Sequence, residues 1–169
     1  MMSASKIRRG SCPLLPALLL PLLPLLLWLP AASLHAANKT ANVTTARNLS
    51  YGRFAANTGG TIIMSTAGVR SKTGGVILMA GGTITSASFN LGESGTGKSL
   101  SFTTITLPTS AVMTSGANSM TVRNFVSDPA NTVLGTGRTV VLVGATLTVA
   151  PNQAAGNYSG NFTVTVNYQ

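Results

Sequence analysis

Residues 92–99 read Gly-Glu-Ser-Gly-Thr-Gly-Lys-Ser, a full match to the phosphate-binding pattern G-x-x-x-x-G-K-[ST]. In such a loop the glycine-rich backbone cradles phosphates, the lysine (here Lys98) reaches the terminal ones, and the hydroxyl (here Ser99) binds Mg²⁺. That chemistry requires a buried strand before the loop and a helix after it. From Ser99 the chain continues SLSFTTITLP, a β-branched strand pattern ended by Pro108. A second acidic metal partner is also needed, and Asp128 is the one carboxylate left to supply it. The motif therefore reads as a Gly/Ser/Thr-rich hairpin loop, with nucleotide binding a remote alternative. Glu93 and Asp128 could pair as glycosidase acids, but both fall in turn-like sequence with no aromatic sugar platform beside them. The single histidine, His35, and the single cysteine, Cys12, lie near the N-terminus. The rest of the chain lacks the groups for triads, thiol nucleophiles or His/Cys metal sites. No catalytic, cofactor-binding or metal-binding residue is assigned, and the chain is not expected to be an enzyme.

The N-terminal residues explain where His35 and Cys12 go. Lys6, Arg8 and Arg9 precede a Leu-rich apolar core over 14–29, followed by small residues at Ala31, Ala32, Ser33, Ala36 and Ala37. This is the order of a secretory signal peptide, and the prolines at 13, 16, 21, 24 and 30 argue against a retained spanning helix. The reading is a signal over 1–36, an N-terminal extension or first strand over 37–50, and one domain over 51–169. Cleavage after Ala36, with Ser33 the rival site, leaves eight basic and two acidic residues, a net charge of +6. The cations are scattered singly, so no nucleic-acid patch is expected. The domain has no disulfide and must be held by packing and strand pairing. Export implies the periplasm, the cell surface or the extracellular space.

From Asn38 onward, period-2 alternation replaces any helical spacing. Residues 83–91 and 99–107 each alternate with one phase slip, which predicts a bulge or a pair of short strands. Residues 119–125 carry Met120 and Val122, and 138–150 form a longer apolar stretch expected to bend or turn at Gly144. Gly59-Gly60, Gly74-Gly75 and Gly81-Gly82 read as loops or hairpin turns. The expected fold is all-β, a two-sheet sandwich of about seven or more short antiparallel strands; a closed barrel is the alternative. Five N-x-[ST] triplets, at Asn38, Asn42, Asn48, Asn157 and Asn161, are explained by the Asn, Ser and Thr content.

The closing residues 160–169, GNFTVTVNYQ, place Phe162, Val164, Val166 and Tyr168 on one face and Asn161, Thr163, Thr165 and Asn167 on the other. Gly156 stands fourteenth from the end. A penultimate tyrosine, the alternation before it and that glycine resemble the C-terminal signature of chaperone–usher pilus subunits. The phrase AGNYSGNFTVTVNYQ after VGATLTVAPNQ is similar to a family of secreted bacterial β-sandwich domains of unknown function. That family is itself similar to spore-coat-U-like and archaic pilus subunits. Leu49-Ser50-Tyr51-Gly52 resembles its early L-x-F-G element, with Tyr in place of Phe. The resemblance spans residues 47–169. It implies an immunoglobulin-like sandwich that lacks a strand, with a periplasmic chaperone, an outer-membrane usher and copies of itself as partners. It also implies that Gly156, Phe162, Val164, Val166 and Tyr168 serve assembly by strand addition. Residues 38–50 would be the donor, although Val43 and Leu49 are their only large apolar side chains. The function expected is an exported structural or adhesive surface protein; the alternative is a monomeric secreted module binding an envelope polysaccharide or protein.

Overall fold

In the computed structural model of the protein, the residues described are 39–95, 99–130, 135–136 and 139–169. The proposed signal, His35, Cys12 and Lys98 lie outside them. None of the described residues is helical, and none forms a helix long and apolar enough to cross a membrane.

The chain runs through β1 (Thr40–Arg47), β2 (Ser50–Tyr51), β3 (Phe54–Ala55), β4 (Gly60–Met64), β5 (Arg70–Gly74), β6 (Ile77–Leu78) and β7 (Ile84–Thr85). It continues through β8 (Ala87–Ser94), β9 (Ser101–Thr106), β10 (Ser110–Ser115), β11 (Asn118–Asp128), β12 (Gly135–Thr136), β13 (Thr139–Val149) and β14 (Thr165–Tyr168). One sheet has seven strands, ordered β1-β8-β13-β11-β10, with β4 also beside β13 and β5 beside β4. A three-stranded sheet, β12-β9-β14, and two short pairs, β2–β7 and β3–β6, complete the set. Every pairing is antiparallel. The all-β sandwich expected from the alternation is the fold observed.

β13 organises the core. Val141, Val143, Ala145, Leu147 and Val149 alternate inward and are buried. Its first half pairs with β8, up to Val143 opposite Ala87, and its second half with β4, from Ala145 opposite Met64. Gly144 stands at the changeover, where a Cβ would overlap the Met64 carbonyl oxygen. The turn half of the expectation at Gly144 is not met: β13 continues through it as one strand, with a bulge opposite in β11 between Arg123 and Val126. The glycine instead lets the end of β4 come in against it.

The two halves of β13 feed two apolar clusters. Val141 and Val143 join Ala87, Leu91, Phe102 and Ile105, so β9 covers this half. Ala145, Leu147 and Val149 join Tyr51, Ile62, Met64, Val76, Met120 and Val122. Burial of these side chains drives the fold, at about 25 cal/mol per Å² of apolar surface removed from water.

The phase slips resolve as expected. Residues 83–91 divide into β7 and the start of β8 around the buried Ser86. In β9 the slip between Phe102 and Ile105 is a bulge: Asn167 faces Thr104 and Tyr168 faces Phe102, skipping Thr103. The first two glycine pairs are part turn and part strand: Gly59 closes a turn from Ala56 and Gly75 lies in a turn, while Gly60 and Gly74 are ladder residues. The β4–β5 hairpin turns at 65–69, where the Ser65 amide donates to the Val69 carbonyl at 3.0 Å. Gly59-Gly60 and Gly74-Gly75 lie opposite one another at its open end, with Gly60 facing Gly74. Their similar surroundings reflect pairing with each other. Glu93 and Asp128 also leave the predicted turns, since both are ladder residues, opposite Ala41 and Leu142.

Candidate strand-acceptor groove

The closing stretch shows the alternation in its burial: Phe162, Val164 and Val166 are half-buried, and Asn161, Thr163, Thr165 and Asn167 are exposed. Its ladder is shorter than its pattern. Only 165–168 pair with β9, and the Gln169 main chain exchanges two further bonds with Ser101 at 2.8 and 2.9 Å. Over 160–164 no main-chain hydrogen bond forms with any described residue. Upstream, Ser159 exchanges two bonds with Thr114 on the outer edge of β10, at 2.8 and 3.0 Å. The side chains of 160–164 are thus seated as in a strand, while their backbone donors and acceptors make no ladder bonds among the described residues. Unpaired backbone of this kind is a template for another chain.

A groove of about 1020 Å³ lies beside this stretch. One wall is the N-terminal stretch 47–56, the other is 153–162, and Ala87, Phe89, Met120 and Leu147 contribute to the floor. Arg70 holds the first wall: its Nη1 donates to the carbonyls of Tyr51 (2.7 Å) and Arg53 (3.0 Å), and its Nη2 to that of Met79 (3.0 Å). Arg47 adds a bond from Nε to the Ser86 carbonyl at 3.1 Å. The second wall is held by Tyr158, whose hydroxyl donates to the Ala154 carbonyl at 2.8 Å. The same hydroxyl accepts from Gln153 Nε2 at 2.9 Å. Gly160 lets this wall approach β10, because a Cβ there would overlap the Val112 carbonyl oxygen.

The five residues singled out from sequence are not all in one place. Phe162 packs edge-on to Phe89 (centroids 6.0 Å apart) and against Phe125 (5.1 Å), and lines the groove. Val164 and Val166 pack on the β9 cluster with it. Tyr168 packs its ring edge-on to the buried Phe102 at 6.5 Å and is itself 52% exposed. Gly156 is farther along the same wall, where a Cβ would press first on the Ser115 side chain. Arg70, Gln153, Tyr158 and Gly160 were not singled out. Tyr158, a lone aromatic in the polar run PNQAAGNYSG, was the available signal.

Tyr51 lines the groove and is 4% exposed, and its buried hydroxyl has no hydrogen-bond partner among the described residues. Burial pushes its pKa up, so it stays a neutral donor. The phosphate-loop motif takes a different form: Gly92 and Glu93 are ladder residues of β8, and β9 follows where a helix is required. Glu93 is engaged by Lys39 Nζ, and its Oε2 accepts from the Leu100 amide at 2.6 Å.

The family model described as a domain of unknown function (DUF4402) matches residues 41–168. The chain belongs to that family. The DUF4402 match opens inside β1 and closes on the last residue of β14, so both terminal strands are parts of the domain. No curated protein and no solved structure matches the chain.

The donor candidate, 38–50, is engaged within its own DUF4402 domain from Thr40 on. β1 pairs with the edge of β8 from Thr40 opposite Ser94 to Arg47 opposite Ser88. Its side chains contribute little, since seven of the eight are exposed and Val43 is 45% exposed. Leu49, just beyond it, packs on both clusters. β1 is held chiefly by main-chain bonds, each contributing about 0.5–1.5 kcal/mol net.

Proposed function

We propose that the protein is an exported, non-catalytic structural or adhesive subunit of the cell surface that joins its partners by β-strand addition. The observation that carries this reading is the stretch 160–164, seated by its side chains yet without main-chain partners, beside an open groove. A strand laid there satisfies those groups and covers the partly open apolar lining, Phe54, Met79, Phe89 and Phe162. Main-chain bonds then give affinity, and alternate side chains give selectivity. A periplasmic chaperone would protect the groove during export, and an outer-membrane usher would exchange it for the next strand.

A second reading draws on β1. Because that strand pairs in cis and lies within the family domain, the sandwich can stand as a monomer, with the groove taking an envelope polysaccharide or protein. The test is size exclusion of the protein recovered from the periplasm, followed by SDS gels with and without heating. A ladder that collapses only on heating supports strand addition. A monomer in both, whose 160–164 amides exchange freely in cells as well as in isolation, refutes it.

A further inference from the structure

We infer that the strand this groove accepts comes from a different, acidic chain rather than from a second copy of this protein. The inference rests on the strand-acceptor reading and concerns who supplies the strand. Arg47 and Arg53 stand in the groove's wall, and no carboxylate joins them there. Arg53 is exposed and makes no ion pair among the described residues. An occupant therefore meets positive charge along the 47–56 side.

The chain's own N-terminal stretch is the wrong match in charge. Residues 37–50 contain Lys39 and Arg47 and no acid. Laying them along Arg47 and Arg53 sets cation on cation, which disfavours that pairing. The rest of the chain after residue 36 offers two carboxylates. Glu93 is engaged by Lys39 and the Leu100 amide, and Asp128 is fixed in the ladder opposite Leu142.

The match in size is equally poor. The face that β1 turns toward the core carries Ala41, Val43 and Thr45, opposite Glu93, Leu91 and Phe89. The groove lining keeps Phe54, Met79, Phe89 and Phe162 partly open, and small side chains would leave much of these uncovered. The fitting occupant is an extended segment with large alternating apolar residues and Asp or Glu placed to face Arg47 and Arg53. Opposite charge there adds rate and selectivity to a backbone-driven contact.

The test uses three fluorescent peptides with the purified protein at low salt, read by anisotropy. One alternates Val and Thr over about twelve residues, enough to span 153–164 at roughly 3.3 Å per residue, with Glu at both ends. The second is its lysine-ended twin, and the third is the chain's own 37–50. The acidic peptide should bind at least about tenfold more tightly than its twin, and Arg53→Glu should erase or reverse that order. Arg53→Gln, expected to be intermediate, is the control should Arg53→Glu melt early. Equal binding of the twins, or tightest binding by 37–50, overturns the inference and leaves strand addition standing. Binding by none of the three, with no protection of the 160–164 amides, overturns strand addition as well.

Discussion

β13 and the closing stretch 160–169 carry the same kind of pattern, apolar and polar residues in alternation, and end in different states. β13 has β11 along one side and β8 then β4 along the other, and its inward side chains are almost wholly buried. The closing stretch has β9 beside 165–169, and over 160–164 no ladder bonds among the described residues, the Ser159–Thr114 pair lying just upstream. The difference is one of partners, since the side-chain rhythm is the same. A sandwich can seat a strand by its side chains before that strand's backbone is paired. The region left in this state is where another chain has most to gain.

The largest effect should come from the fully knit region. Leu147→Ala removes a side chain that is 1% exposed at the centre of the larger cluster. It should cost about 2–5 kcal/mol, the range for a buried leucine that leaves a cavity. Chemical denaturation would measure this, and a loss under about 1 kcal/mol would mean that the two regions do not differ as described.

Phe162→Ala tests the other side of the comparison. Its ring is half-buried against Phe89 and Phe125, so the loss should be smaller, about 1.5–3 kcal/mol. The strand-acceptor reading adds that assembly falls by more than stability does. Parallel losses in both would reduce Phe162 to a packing residue.

The two glycines of the second wall sharpen the contrast further. Gly160→Ala sets a methyl group against the Val112 carbonyl oxygen, which is backbone and cannot turn away. The Thr114–Ser159 pair should open at a cost of about 1–3 kcal/mol. Gly156→Ala meets the Ser115 side chain, which can rotate, and should stay within about 0.5 kcal/mol. Amide exchange at Ser159 reads both variants, and the reverse order would contradict the wall's geometry.

Legibility from sequence follows the same division. Periodicity reports which side chains are buried, so the strands and the phase slips at 83–91 and 99–107 were readable from Ile84, Phe89, Phe102 and Ile105. Periodicity says nothing about a strand's lateral partners, which lie far off in sequence, so the bare backbone of 160–164 was invisible. The turn expected at Gly144 is absent for a related reason. A glycine in a strand signals either a bend or a close approach, and only the arrival of β4 decides between them. The groove walls depend on Arg70 and Gln153 reaching backbone carbonyls elsewhere in the chain, and side-chain-to-backbone bonds leave no pattern in residue type.

Tyr51→Phe separates fold from partner. The hydroxyl is buried without a partner among the described residues, so its removal should leave the isolated protein unchanged or up to about 1 kcal/mol more stable. Because the hydroxyl is closed to the groove, an incoming strand does not reach it, and assembly should be unchanged in the same variant. A destabilised monomer would show that the hydroxyl is already satisfied.

The smallest effect is expected at the outer edge, where Lys39 and Glu93 tie the start of β1 to the end of β8. The Lys39 ammonium and then the Leu100 amide hold the Glu93 carboxyl below its ordinary 4.5. Because the folded state lowers this pKa, the stability it contributes is fully present above about pH 4.5. It is lost as pH falls through the lower folded value. Acid should therefore loosen β1 at this end before it touches the clusters around β13. Asp128 is the only other carboxylate after residue 36, so Glu93→Gln should remove most of the dependence of β1 amide exchange on pH below 4.5. An undiminished acid response in that variant would move the sensitivity elsewhere and leave β1 held by its main-chain ladder alone.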